Sequence, residues 1–182
     1  EDLYLPYKPK RRTKAQIARE AGLEPLADAL LQDPTLSPEV EAARFVRTDA
    51  QTPELSVPDV KAALEGARAI LVERFAEDST LLTRLRDALR EQAQLVSTVI
   101  EGKEDAGAKF RDWFDFREPI VSMPSHRALA MFRGRNEDVL RLQLKMPPEL
   151  EDPPRASPCI GVIATRFGLA DRGRPADRWL QD

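Results

Sequence analysis

The sequence predicts an all-α fold: a multihelical, irregular helical array with a long antiparallel helical hairpin and at most one short strand or hairpin. Two observations carry this expectation. Alanine, leucine, glutamate and arginine are plentiful, while glycine is limited to 8 residues and aromatics to 6% of the chain, a composition suited to helices. Apolar residues also recur at spacings of three and four along most of the length, and strict alternation appears in one place only. With 182 residues and 42% hydrophobic content the chain can bury one sizeable core or two small ones.

Residues 1–47 are expected to form a basic loop and a short-helix, helix-turn-helix-like unit. Thr13 is placed to cap a helix whose small apolar face is Ala15, Ile17, Ala18 and Ala21, and Gly22 can end it in a left-handed conformation. Pro25 suits the first turn of a second helix with Leu23, Leu26, Ala27, Leu30 and Leu31 facing inward, and Ser37-Pro38 opens a third. Residues 48–118 are expected to form the long hairpin with an aromatic wedge. Its first stripe is Val57, Val60, Leu64, Ala67 and Leu71, and its second runs from Leu81 through Leu85 and Leu89 to Val99. Phe110, Trp113, Phe114 and Phe116 supply the wedge. Residues 119–182 then read as a helix ended by Gly134, one strand candidate at Leu140, Leu142 and Leu144, and proline-punctuated terminal helices. The first residue is not Met and the last residues still read as helix, so the chain is expected to be a fragment of a larger protein.

The charge is uneven. The formal net charge is −3, yet Lys8, Lys10, Arg11, Arg12 and Lys14 crowd into one loop and helix start, with Tyr4 and Tyr7 just ahead of them. Cations so placed can converge on phosphates, and the tyrosines can offer flat faces to unstacked bases; the competing reading is a solvated, soluble linker. The helix-Gly-helix pattern that follows can be a DNA-binding helix pair or a structural one, and Glu24, Pro25 and Asp28 at the second helix speak for the latter. Arg127, Arg133 and Arg135 form a second basic patch that either contacts anions or pairs with Glu137 and Asp138.

Catalytic chemistry finds no footing. His126 is the only histidine and Cys159 the only cysteine, too few for zinc ligation, and a capping or core role is expected for the histidine. Asp112, Asp115 and Glu118 alternate with aromatics as the acids of an amphipathic segment do, so a magnesium site is not expected. Ser125 and His126 are adjacent, which on a helix points them in different directions. There is no phosphate-cradling glycine loop. The expectation is therefore no enzyme, no catalytic residue, no metal and no cofactor. A single cysteine fits a reducing compartment, no apolar run approaches the roughly 20 residues that span a bilayer, and no apolar signal core opens the chain, so a cytoplasmic location without membrane contact is expected.

Two blocks carry a family resemblance. Leu5-Pro6-Tyr7-Lys8 with Arg11-Arg12-Thr13 and Gly22-Leu23-Glu24-Pro25-Leu26-Ala27 form the first, inside LYLPYKPKRRTKAQIAREAGLEPLA; His126-Arg127 with Arg133-Gly134 form the second, inside MPSHRALAMFRGRNEDVL. Together they resemble the Tex family of bacterial transcription accessory proteins, whose eukaryotic relative is a transcription elongation factor. The resemblance implies a multi-domain parent with an RNase-H-like domain, helix-hairpin-helix elements and an OB-type RNA-binding domain, of which this chain is the helical region preceding the RNase-H-like part. It implies a non-catalytic module supporting binding of RNA or single-stranded nucleic acid and transcription regulation, with neighbouring domains and the transcription machinery as partners. The alternative is a protein-interaction scaffold with no direct nucleic-acid contact. The expected contact residues are Tyr4, Tyr7, Lys8, Lys10, Arg11, Arg12, Lys14, Arg127, Arg133 and Arg135.

Overall fold

A computed structural model describes residues 12–48 and 52–182. The chain divides into two compact units, one comprising the residues up to Asp78 together with Arg166–Asp182, the other Ser79–Thr165.

The first unit is helical. Helix α1 (Lys14–Glu20) starts where the Thr13 hydroxyl accepts the Gln16 N–H at 3.1 Å, satisfying one of the orphan donors of the first turn. Gly22 then reverses the chain at φ 79°, a conformation open to glycine at little cost. Helix α2 (Glu24–Gln32) has Pro25 in its first turn, and α3 (Pro38–Ala43) is capped by Ser37, whose hydroxyl accepts the Val40 N–H. An isolated antiparallel bridge between Arg47 and Val57 closes the loop before α4 (Val60–Glu77), which Asp59 caps through the Ala62 N–H at 2.7 Å. Ala15, Ala18, Leu23, Leu26, Ala27, Leu30, Ala63, Ala67, Ile70 and Leu71 bury one continuous core. Small residues make the α1–α4 crossing close: a Cβ on Gly66 would run into Leu23 and stand 3.3 Å from Ala18 Cβ. The core is finished from the far end of the sequence. Ala176 is fully buried, Trp179 and Leu180 pack beside it, and the Ala176 N–H donates to Pro34 O at 3.0 Å.

The second unit overturns the all-α expectation. It contains α5 (Ser79–Gln92), β1 (Gln94–Val99), β2 (Asp115–Pro119), α6 (Ser125–Asn136), β3 (Leu140–Lys145) and most of α7 (Pro158–Phe167), and its strands form a three-stranded antiparallel sheet ordered β2-β1-β3. The chain is therefore mixed α/β. The stripe assigned to one helix through Val99 stops at Gln92, and after Ala93 the β-branched residues Val96, Thr98 and Val99 carry the chain on as the central strand. The supposed hairpin partners α4 and α5 fall in different compact units. The expected strand at Leu140–Lys145 is present.

One face of the sheet is largely apolar, with Glu118 at its β2 edge. Leu95 lies between Glu118 and Leu144, Ser97 between Phe116 and Leu142, and Val99 opposite Leu140. Phe110, Val139 and Leu140 are buried together, with Trp113, Phe114 and Leu142 packed against them, and the Trp113 and Phe116 rings meet edge to face with centroids 4.9 Å apart. Ser97, wholly buried, donates its hydroxyl to Trp113 O at 2.7 Å and so meets the requirement that a buried polar group be partnered. Gly134 does not terminate α6. It lies within the helix and is buried, because a Cβ there would stand 2.8 Å from Leu140 Cγ and 3.3 Å from Phe110 Cδ1; the left-handed residue after the helix is Asp138, φ 55°.

Candidate nucleic-acid interface

The basic run is followed in sequence by Thr13, which is held at two points. The Thr13 hydroxyl donates to Glu73 Oε2 on α4 at 2.8 Å while accepting the Gln16 N–H. Glu73 also accepts from Arg19 Nη1, and hydrogen bonding from Arg19, reinforced by Thr13, holds its carboxyl below the usual range; Glu73 in turn raises Arg19. Tyr4, Tyr7, Lys8, Lys10 and Arg11 lie outside the described residues. Of the remaining expected contacts, Arg12 is exposed and paired with Glu20 and, at 3.5 Å, with Glu54. Lys14, the first residue of α1, is exposed with no carboxylate partner among the described residues.

The helix pair after the run does not present a groove-reading surface. The start of α2, which would enter a groove, carries Glu24 and Asp28, and both face arginines of the same unit: Arg74 Nη1 donates to Asp28 at 2.8 Å and its Nη2 to Glu24 at 3.4 Å. These carboxylates tie α2 to α4 and would repel phosphate. The helix-turn-helix-like expectation is accordingly dropped in favour of a structural pair.

In the second unit the three expected arginines separate by role. Arg127 donates to Glu118 Oε1 at 2.8 Å, anchoring α6 to β2, while Glu118 Oε2 is buried without a hydrogen-bond partner. Arg133 donates to Glu137 at 3.3 Å, and Glu137 also pairs with Lys109; the Lys109 bond first, then Arg133, holds that carboxyl below its usual range. Arg135 has no carboxylate partner among the described residues and lies over the Phe132 ring, 5.1 Å from its centroid. Phe132 and Leu129 are themselves exposed on α6.

No described constellation supports chemistry. Asp115 lies opposite Thr98 and Glu118 opposite Leu95, which puts the two carboxylates on opposite faces of the sheet, and no group of three potential ligands stands together among the described residues. His126 is exposed on the first turn of α6, capping nothing, so the capping or core role expected of it is not seen. An open depression of about 460 Å³ between α5 and α7 is lined by Arg84, Pro158, Gly161, Val162 and Thr165, a set without a nucleophile and base pair. Among the described residues no helix is long and apolar enough to cross a membrane.

What the sequence reading missed is the outward side of the sheet, where Arg117 and Arg141 stand exposed. The alternation of Arg141 with Leu140 and Leu142 was a visible signal for one of them. Arg117 lay hidden among aromatics.

A family model described as Tex central region-like matches residues 33–182. Protein YhgF of Escherichia coli K12 is 59% identical over 179 residues, covering 98% of this chain and 22% of that protein. The transcriptional accessory protein Tex of Neisseria gonorrhoeae is 51% identical over 182 residues, covering 100% of this chain and 23% of that protein. The human S1 RNA-binding domain-containing protein 1 is 29% identical over 160 residues, 84% of this chain and 15% of that protein. The chain thus spans under a quarter of the length of the bacterial relatives it matches.

Proposed function

The chain belongs to the Tex family, whose central region its residues 33–182 match, and from this we propose that it is a non-catalytic module of a transcription accessory protein that supports RNA or single-stranded DNA binding by the intact molecule. The observation that carries the reading is the anchored entry of the basic run. Thr13, the residue that follows Arg12 of that run in sequence, is fixed to α4 through Glu73. An anchored cationic segment loses less entropy on meeting a polyanion than a free one does. The relatives named as transcriptional accessory and S1 RNA-binding proteins support the same ligand class.

The test is anisotropy of a fluorescent single-stranded oligonucleotide across a salt series. Binding should weaken steeply with salt, and changing Lys10, Arg11 and Arg12 to Ala should flatten the log-log slope by roughly 0.7 per lost phosphate contact. An unchanged slope rejects the phosphate role of this segment.

A second reading, docking onto neighbouring domains or the transcription machinery, is supported by Leu129, 68% exposed on α6, and Val121, 70% exposed just before it. Slower amide exchange across α6 when the downstream part of the parent protein is added in trans would support it; unchanged exchange rejects it.

A further inference from the structure

The antiparallel register sorts the sheet into two chemically distinct faces. Opposite the apolar side, Val96 stands between Arg117 and Gln143, Thr98 between Asp115 and Arg141, and Gln94 between Pro119 and Lys145. Arg117, Arg141 and Gln143 are exposed, and Lys145 is half-buried. An antiparallel sheet commonly turns one face to water, and a merely solvated face mixes charges of both signs so that neighbours neutralise each other. This face does not. It carries three cations against the single carboxylate of Asp115, in a chain whose formal net charge is −3. None of the three cations has a carboxylate partner among the described residues, a state they share with Arg135 of the same unit, whereas Arg127, Arg133 and Arg155 of that unit are paired.

We propose that this outward face of the β2-β1-β3 sheet is a backbone-contacting platform for single-stranded nucleic acid, with Arg117, Arg141 and Lys145 holding phosphates and Thr98 and Gln143 donating hydrogen bonds between them. The spacing fits a chain of repeated anions. Arg117 and Arg141 are on the outer strands, two strand spacings apart and offset by two residues, which separates their Cα atoms by roughly 12 Å; Arg141 and Lys145 are about 13 Å apart along β3. At such separations the cations do not crowd one another, and each can take a different phosphate of one strand. Guanidinium forks bind phosphate oxygens in a bidentate manner, which an acidic protein surface would also exploit, but the flat row of amide and hydroxyl donors favours the regularly spaced oxygens of a phosphodiester chain. No aromatic side chain lies on this face, so base stacking is absent and the contact is independent of sequence.

The ligand class follows the reading above, but the residues are separate from the basic run, which allows the two to be tested apart. Four proteins are compared by oligonucleotide anisotropy over a salt series: the native chain, Arg117→Gln/Arg141→Gln, the Lys10, Arg11, Arg12 to Ala triple, and Asp115→Asn. Two lost single-strand contacts flatten the slope by about 1.4, so between 50 and 200 mM salt the native chain should lose roughly sevenfold more affinity than the sheet variant. Asp115→Asn, which removes the lone anion, should tighten binding. Thermal unfolding guards against misfolding, since exposed strand arginines should change to Gln with little effect on the melting temperature. A sheet variant that keeps the native slope, while the triple variant loses it, overturns the platform and leaves the basic-run reading standing. The reverse pattern overturns the basic run and supports the platform. Competition by poly-aspartate that matches a single-stranded RNA charge for charge would mean an acidic protein partner and would overturn the proposal.

Discussion

The Thr13 hydroxyl joins two elements far apart in sequence: it donates to Glu73 Oε2 at 2.8 Å and accepts the Gln16 N–H at 3.1 Å, so one side chain both starts α1 and fastens it to α4. Thr13→Val keeps the shape and removes both bonds. Loss of a helix cap typically costs about 1 kcal/mol, and the melting temperature should fall by several degrees. An unchanged melting temperature would show that the entry is not anchored there.

Arg12 and Lys14 should contribute unequally to nucleic-acid binding. Arg12 has to surrender Glu20 before it can take a phosphate, whereas Lys14 has no carboxylate to give up among the described residues. Lys14→Ala is therefore expected to flatten the salt dependence of oligonucleotide binding more than Arg12→Ala does. Equal slopes in the two variants would contradict this ordering.

Asp177 is 2% exposed, and its carboxylate accepts the N–H groups of Arg172 and Arg174 at 2.7 and 2.9 Å as well as the Arg174 guanidinium. Hydrogen bonding from Arg174, with help from both backbone groups, lowers its pKa from 3.8 to about 2. A depressed acid stabilises the folded state above its unfolded pKa and loses that contribution as pH falls through the folded one. Asp177→Asn should thus be less stable than the native chain at neutral pH, and the difference should close between pH 3.8 and about 2 in thermal unfolding followed by circular dichroism.

Two glycine-to-alanine changes should move stability in opposite directions. At Gly134 the new methyl meets buried Leu140, and overpacking costs typically about 1–3 kcal/mol, more than the gain of up to about 1 kcal/mol that alanine brings to a helix. At Gly161, exposed in α7 with nothing within 4 Å of the added carbon, only the gain remains. Urea titrations of both variants decide the matter, and a stabilised Gly134→Ala would mean that the α6–β3 contact is looser than described.

Arg127→Ala should act on folding rather than on binding. It leaves Glu118 half-buried with neither oxygen paired, a loss of about 1–2 kcal/mol, while oligonucleotide affinity stays near native. Reduced affinity with unchanged stability would return Arg127 to the interface.

Local chemistry was legible in the sequence wherever one residue dictates one geometry. The caps at Thr13 and Ser37, the turn at Gly22, the early proline of α2 and the alternation of β3 all follow from short-range rules. The central strand was not legible, because Leu95, Val96 and Val99 extend the spacing of the α5 stripe and only the β-branched density marks the change of period. β2 was hidden in the same way by the aromatics before it. Since the faces of a sheet are defined by pairing between distant strands, Arg117 and Arg141 could not be seen as neighbours until both were registered against β1. Gly134 misled for a related reason: whether a glycine ends a helix or lets a side chain approach depends on Leu140, which no local rule places.

Ala176, Trp179 and Leu180 close a core whose other members all precede Asp78. During synthesis the ribosome must therefore deliver the whole of Ser79–Thr165 before the first unit can finish folding, and the earlier helices wait without the Ala176, Trp179 and Leu180 part of their core. A nascent chain halted after β3 would hold its sheet residues but not its completed helical core, which makes this stretch of translation the interval in which a holding chaperone has something to grip.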